Sequence, residues 1–158
     1  REDSQCYNRA HVWSWEMRRY TENGKLVQPG KIWIYFTKKY IRAYRFKWWF
    51  HISPYIKLNG KDVVMDKKYL SGPISTRGWT DFFIKPRTEC QLIDRYSQYE
   101  KYPNNGNCFI MKTSVHYYQP YQAELLEQGR NPEQKRWENW ELRQAYEDGV
   151  GSNLFPNL

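Results

Sequence analysis

The chain predicts an α+β domain, and three stretches carry that expectation: an apolar stripe at helical spacing near the start, two strand-like runs about Asn59-Gly60, and an Asn131-Pro132 helix signal further on. A helix, then antiparallel strands, then a closing helix segregates the two kinds of element, as α+β folds do. At 158 residues the chain is long enough for one domain with its own core. No internal repeat, linker or second domain interrupts it, so 1–158 reads as a single domain with a partly irregular tail over 145–158.

Hydrophobic residues make up 40% of the chain and aromatic residues 18%, with eight Trp and fourteen Tyr. A charged fraction of 27% without low-complexity stretches belongs to a folded chain rather than a disordered one. Twenty-five basic against 17 acidic residues leave a net charge of +8, which suits nucleic acid, a membrane surface or an acidic protein and does not choose among them. The longest strand-like apolar cluster, Ile32 to Phe36, is far short of a membrane span. No signal peptide is visible, and because residue 1 lies almost on the first helix the chain reads as a trimmed or processed product.

In order, Asp3 or Ser4 can cap a helix running to about Tyr20, with Asn23-Gly24 ending it. Cys6, Ala10, Trp13, Met17 and Tyr20 form its apolar stripe. Cys6 then sits in the first turn, where backbone N–H groups and the helix dipole favour a thiolate. The alternative is that Cys6 is a small core residue. Lys31 to Thr37 alternates like a strand, with Ile32, Ile34 and Phe36 on one side. The Tyr40 to Tyr44 stretch, the central hairpin and a turn at Ser71-Gly72-Pro73 follow. Ser75 or Thr76 starts a short helix through Trp79, Phe82 and Phe83, closed by Pro86. A strand from Cys108 to about Tyr118 puts Phe109, Met111, Thr113, Val115 and Tyr117 on one face. A helix after Asn131-Pro132 carries Trp137, Trp140, Leu142 and Ala145 and ends at Gly149.

The hairpin can be counted residue by residue. Both central residues of a type I′ turn need positive φ, and Asn-Gly meets that need. With Asn59-Gly60 as the loop, Leu58 faces Lys61, Ile56 faces Val63, Ser53 faces Asp66 and His51 faces Lys68. His51, Ser53 and Tyr55 share a face with Val64, Asp66 and Lys68, which makes Asp66 the diagonal neighbour of His51. A carboxylate there would fix the tautomer of His51 and stabilise its protonated form. A bulge at Ser53-Pro54 would shift the register by one and turn Asp66 away.

Three cysteines leave an odd one. Cys90 and Cys108 bracket the Tyr102 to Asn107 loop, and a disulfide across it is geometrically reasonable. An oxidised pair implies maturation in a secreted or periplasmic setting, where a single free thiol at Cys6 points to function. Zinc is the rival reading, but no C-x-x-C or H-x-x-x-H spacing exists, so neither metal nor cofactor is expected.

The run Cys6-Tyr-Asn-Arg-Ala-His11, then Trp49-Phe50-His51, Val64-Met65-Asp66, and Ser71-Gly72-Pro73 ahead of Trp79 resembles the bacterial protein-glutaminase family of papain-like cysteine amidohydrolases. The resemblance covers Cys6 to about Trp79, roughly half of the chain. It implies a papain-like fold in which a nucleophile-bearing helix packs on a small antiparallel sheet, forming a single catalytic domain without a cofactor. It also implies deamidation of glutamine side chains in a protein or peptide substrate, with release of ammonia. Cys6 would be the nucleophile, His51 the base and Asp66 the orienting carboxylate. The family's longer segment before its Cys helix is nearly absent, so pocket or oxyanion residues contributed upstream have no counterpart to name.

The other histidines compete for the role. His11 follows Cys6 by five residues, about 140° round the helix, and reads as a packing or helix-orienting residue. His116 lies opposite Phe109, Met111 and Val115 on its strand and reads as solvated. Two further functions stay open. A protease or acyltransferase would use the same triad with a different acceptor. A non-catalytic module would instead use Lys38, Lys39, Arg42, Arg45 and Lys47 with Tyr40, Tyr44 and Phe46 to bind nucleic acid or an acidic partner. The bland reading of that stretch is a sheet face with Lys and Arg stems lying over Tyr rings. A monomer without bound nucleic acid is the expected state.

Overall fold

A computed structural model describes residues 6–18, 21–22, 25–120, 122, 128 and 129. The expected caps at Asp3 or Ser4, the helix end at Tyr20, and the helix and tail after Asn131 lie outside those residues. In chain order the elements are α1 (Cys6–Met17), β1 (Thr21–Glu22), β2 (Lys25–Leu26), β3 (Gly30–Phe36), α2 (Lys38–Tyr44), β4 (Phe50–Leu58), β5 (Lys61–Val64), β6 (Ile74–Ser75), α3 (Thr76–Phe83), β7 (Gln91–Ile93), α4 (Tyr96–Lys101) and β8 (Cys108–Thr113). The α+β class holds.

The main sheet has six strands in the order β6-β5-β4-β3-β8-β7, while β1 and β2 form a separate two-stranded ribbon. The sheet is mixed rather than antiparallel throughout, because β7 runs parallel to β8. Seating β3 between β4 and β8 buries every residue of it, so its apolar alternation divides between two covered faces instead of one. Trp33 and Tyr35 pack with Ile52, Phe109 and Met111 beneath Cys6 and Ala10 of α1 and Tyr96 and Tyr99 of α4. Ile32, Ile34 and Phe36 pack with Val64 and Ile110 beneath Tyr40 of α2 and Trp79 and Phe83 of α3.

Tyr40 to Tyr44 belongs to a helix, which corrects the sheet-face reading of this basic, aromatic stretch. Thr37 caps the helix by accepting from the Tyr40 N–H at 3.1 Å, and Arg45 closes it in the left-handed region at φ 51°. The helix stop expected at Asn23-Gly24 lies outside the described residues; the two short strands on either side pair as Glu22 with Lys25 and Thr21 with Leu26. The last expected strand is shorter, ending at Thr113 rather than near Tyr118.

The central hairpin forms in the counted register as far as it runs, with Leu58 opposite Lys61 and Ile56 opposite Val63. However, β5 ends at Val64, so the counted pairs Ser53–Asp66 and His51–Lys68 do not form, because the chain turns at Asp66. Asn59 and Gly60 take positive φ values of 50° and 77°. Ser53-Pro54 introduces no slip, since Pro54 needs no N–H there and its carbonyl accepts from Met65 at 2.9 Å. Ser75 caps α3 as expected, accepting from the Gly78 N–H at 3.1 Å. Cys90 and Cys108 are bonded to each other and Cys6 is free and buried.

Candidate functional site

His51 occupies β4 opposite Ile34 of β3 and is 2% exposed. Alternation along the strand turns its ring toward the α3 side of the sheet. The β4–β5 ladder closes at Pro54 and Met65, and the chain then turns at Asp66, whose carbonyl accepts from the N–H groups of Tyr69 at 3.3 Å and Leu70 at 3.0 Å. That turn fixes the carboxylate beside His51. His51 Nε2 donates to Asp66 Oδ2 at 2.7 Å, and Trp79 Nε1 donates to the same oxygen at 2.9 Å. Asp66 is 3% exposed, so both donors compensate a carboxylate removed from water.

Four aromatic rings surround the imidazole. Trp48 stacks on it at 5.8 Å between centroids, Phe83 and Trp79 lie tilted at 4.9 and 5.9 Å, and Tyr69 meets it edge-on at 5.3 Å. Such burial alone would push the pKa of His51 down. Hydrogen bonds to Asp66 and Cys6, with the charges of both, outweigh burial and raise it to about 9.

Cys6 belongs to the cluster under α1, the helix that packs chiefly along β4, the strand that carries His51. Its thiol is among the influences that raise the His51 pKa. Of the three residues named from the sequence, His51 and Asp66 are joined by a hydrogen bond, and Cys6 is free and buried on the helix packed against the same strand.

The other two histidines are not part of this group. Lys31, wholly buried in β3, donates from Nζ to the Tyr117 carbonyl at 2.6 Å and to His11 Nδ1 at 2.8 Å. Burial holds Lys31 well below its ordinary pKa. His11 is lowered to about 3, first by burial and then by the charges of Lys31 and His116. His11 therefore ties α1 to β3, as a helix-orienting residue would. His116 is exposed and meets Trp15 edge-on at 5.6 Å.

Trp79 and Trp48 are the site residues that spacing does not reveal. Trp79 reads from sequence as one apolar residue of a short helix; its role depends on α3 bringing the indole N–H to Asp66, a tertiary event with no local signature. Among the described residues no group of three or more His, Cys, Asp and Glu side chains is arranged to hold a metal ion, and no helix is long and apolar enough to cross a membrane.

A buried imidazole anchored on a carboxylate, with its pKa raised, is a group suited to acid–base chemistry. The chain belongs to the glutaminase family: the family model, described as glutaminase, matches residues 1–83, more than half of the 158. The matched segment contains Cys6, His51, Asp66 and Trp79, and the family assigns the chain as a deamidase-type hydrolase. No curated protein and no solved structure matches the chain.

Proposed function

We propose that the protein deamidates glutamine side chains of protein substrates through Cys6, His51 and Asp66. The observation that carries the proposal is the His51 ring, bonded to Asp66 through one nitrogen and with its pKa raised by Asp66 and Cys6. With Nε2 engaged by Asp66, Nδ1 is the nitrogen left for the thiol. A pKa raised to about 9 keeps the ring protonated at neutral pH, the state that can give a proton to a departing nitrogen.

The thiolate attacks the carbonyl carbon of the glutamine amide and forms a C–S bond, placing negative charge on the oxygen. Backbone N–H groups at the start of the Cys6 helix are the donors suited to that charge. As the tetrahedral intermediate collapses, His51 gives its proton to the nitrogen and the C–N bond breaks, releasing ammonia and leaving a thioester. The ring is now neutral and takes a proton from water, whose oxygen attacks the thioester carbon. Breakage of the C–S bond yields glutamate and restores the thiolate–imidazolium pair. Asp66 holds the ring orientation throughout and stabilises its charged form, while Trp79 holds Asp66.

The same reading takes the chain as a single catalytic domain of papain-like type, secreted or periplasmic, and monomeric. The bonded Cys90–Cys108 pair supports the oxidising compartment.

Ammonia release from a glutamine-rich protein by wild type and Cys6→Ala tests the mechanism. Wild type should release ammonia, and Cys6→Ala should release none while keeping its fold, because one sulfur lost from a helix costs little packing next to a large core truncation. Asp66→Asn should retain partial activity, reduced by up to about 10⁴-fold in kcat, because its amide still accepts a hydrogen bond but no longer stabilises the imidazolium. Undiminished activity in Cys6→Ala overturns the mechanism.

A further inference from the structure

Three of the rings around His51 have a second surface. Trp48, Tyr69 and Phe83 also line an open groove of about 380 Å³, together with Tyr44, Phe82 and Lys85. Tyr44 is 48% and Phe82 46% exposed, an unusual display of aromatic surface beside a buried polar site. The groove walls meet one another edge-on or tilted: Trp48 to Tyr69 at 5.7 Å, Tyr69 to Phe82 at 6.2 Å, and Phe82 to Phe83 at 5.0 Å. A further aromatic ring entering the groove would find both faces and edges to pack against.

The surroundings are basic. Arg42, Arg45 and Lys47 are exposed along α2 and the segment after it, and Lys85 closes the groove. From Asn23 to Lys61 the chain contains no acidic residue. The acidic residues near α3, Asp81 and Glu89, are both bridged by Arg77, at 3.0 Å each.

We propose that this groove is the substrate subsite next to the reacting centre, and that it takes an aromatic side chain from an acidic segment flanking the target glutamine. The inference rests on the assignment of Cys6 and His51 as the reacting pair. Continuity identifies the occupant: an aromatic side chain seated against Trp48 and Phe83 belongs to a chain whose next few residues, at about 3.3 Å apiece when extended, reach the far side of the same rings. The basic rim then selects acidic neighbours, and salt weakens that selection.

Two synthetic peptides test this, each with one glutamine. The first carries Phe and Asp within two residues on both sides, and the second carries Gly and Ser there. Wild-type enzyme should release ammonia from the first with kcat/KM at least tenfold higher, the difference lying in KM, and the ratio should shrink as NaCl rises from 50 to 500 mM. In Tyr44→Ala/Phe82→Ala, which replaces two half-exposed side chains, the ratio at 500 mM NaCl should approach one. Neutralising charge in Arg42→Gln/Arg45→Gln should weaken the salt dependence. Ammonia from both peptides at equal kcat/KM overturns the subsite and leaves the deamidase reading standing, as does a ratio undiminished in the folded Tyr44→Ala/Phe82→Ala enzyme. The salt titration of wild type decides the charge component without any variant. No ammonia from either peptide or from a glutamine-rich protein overturns the catalytic assignment and the subsite with it.

Discussion

His51 and His11 are shifted in opposite directions, and each leaves its mark on stability. His51 has an ordinary pKa of 6.5 and a folded value of about 9, so between those values the native state binds more protons than the unfolded chain. Its contribution, on the order of 3 kcal/mol for a shift of that size, is fully present below pH 6.5 and disappears as pH rises through 9. For His11, lowered from 6.5 to about 3, the unfolded chain binds more protons in the interval, and stability is lost as pH falls through it. Urea unfolding between pH 6 and 9.5 should therefore show wild type losing stability toward the alkaline end. His51→Gln should flatten that limb, while a second series from pH 6.5 down to 3 should show in both proteins the acid loss to which His11 contributes. An equal alkaline slope in both proteins would remove the charged His51–Asp66 pair from the account.

Among the elements, α2 is the one whose existence depends most on a single side chain. Its seven residues are too few for an isolated helix, and Thr37 supplies both the cap to Tyr40 and a bond from Oγ1 to the Gly106 carbonyl at 2.8 Å. Thr37→Ala should cost about 1 to 2 kcal/mol, read as a lower Tm. Thr37→Ser, which keeps the oxygen, should recover most of it. Equal Tm values for Ala and Ser would show that the cap contributes nothing. The elements also differ in how far sequence reveals them. The β4–β5 hairpin was legible because one Asn-Gly pair sets the turn and the turn sets its partners; counting also placed Asp66 near His51, although the contact is made by the turn at Asp66 beyond the end of the ladder. Conversely, β7 has only Gln91, Leu92 and Ile93, with Leu92 67% exposed and its partner strand remote in the chain. No period can be read from three residues. For α2, Tyr, Ile and Phe at Tyr40, Ile41 and Phe46 suggest a strand, and the cap and tertiary packing override that propensity. Cys6 stands apart: its place on the apolar stripe of the first helix was legible, and it is free and buried there, while where it sits relative to His51 depends on how α1 packs on β4.

For the whole molecule, thiol chemistry follows from the pairing. Titration of the unfolded, unreduced protein should find one reactive thiol, and reduction should raise the number to three, the full cysteine complement. Three thiols before reduction would remove the argument for an oxidising compartment. Sheet order carries a different consequence. The strands inside the family-matched segment, β3 to β6, occupy one side of the sheet, and β3 is closed on its other side by β8, from beyond residue 83. Cut at residue 83, the chain would present β3 with a bare row of N–H and C=O groups along a wholly buried, mostly apolar strand, a template for another copy. The boundary of resemblance thus falls between β3 and the strand that closes it, and runs through the middle of the core.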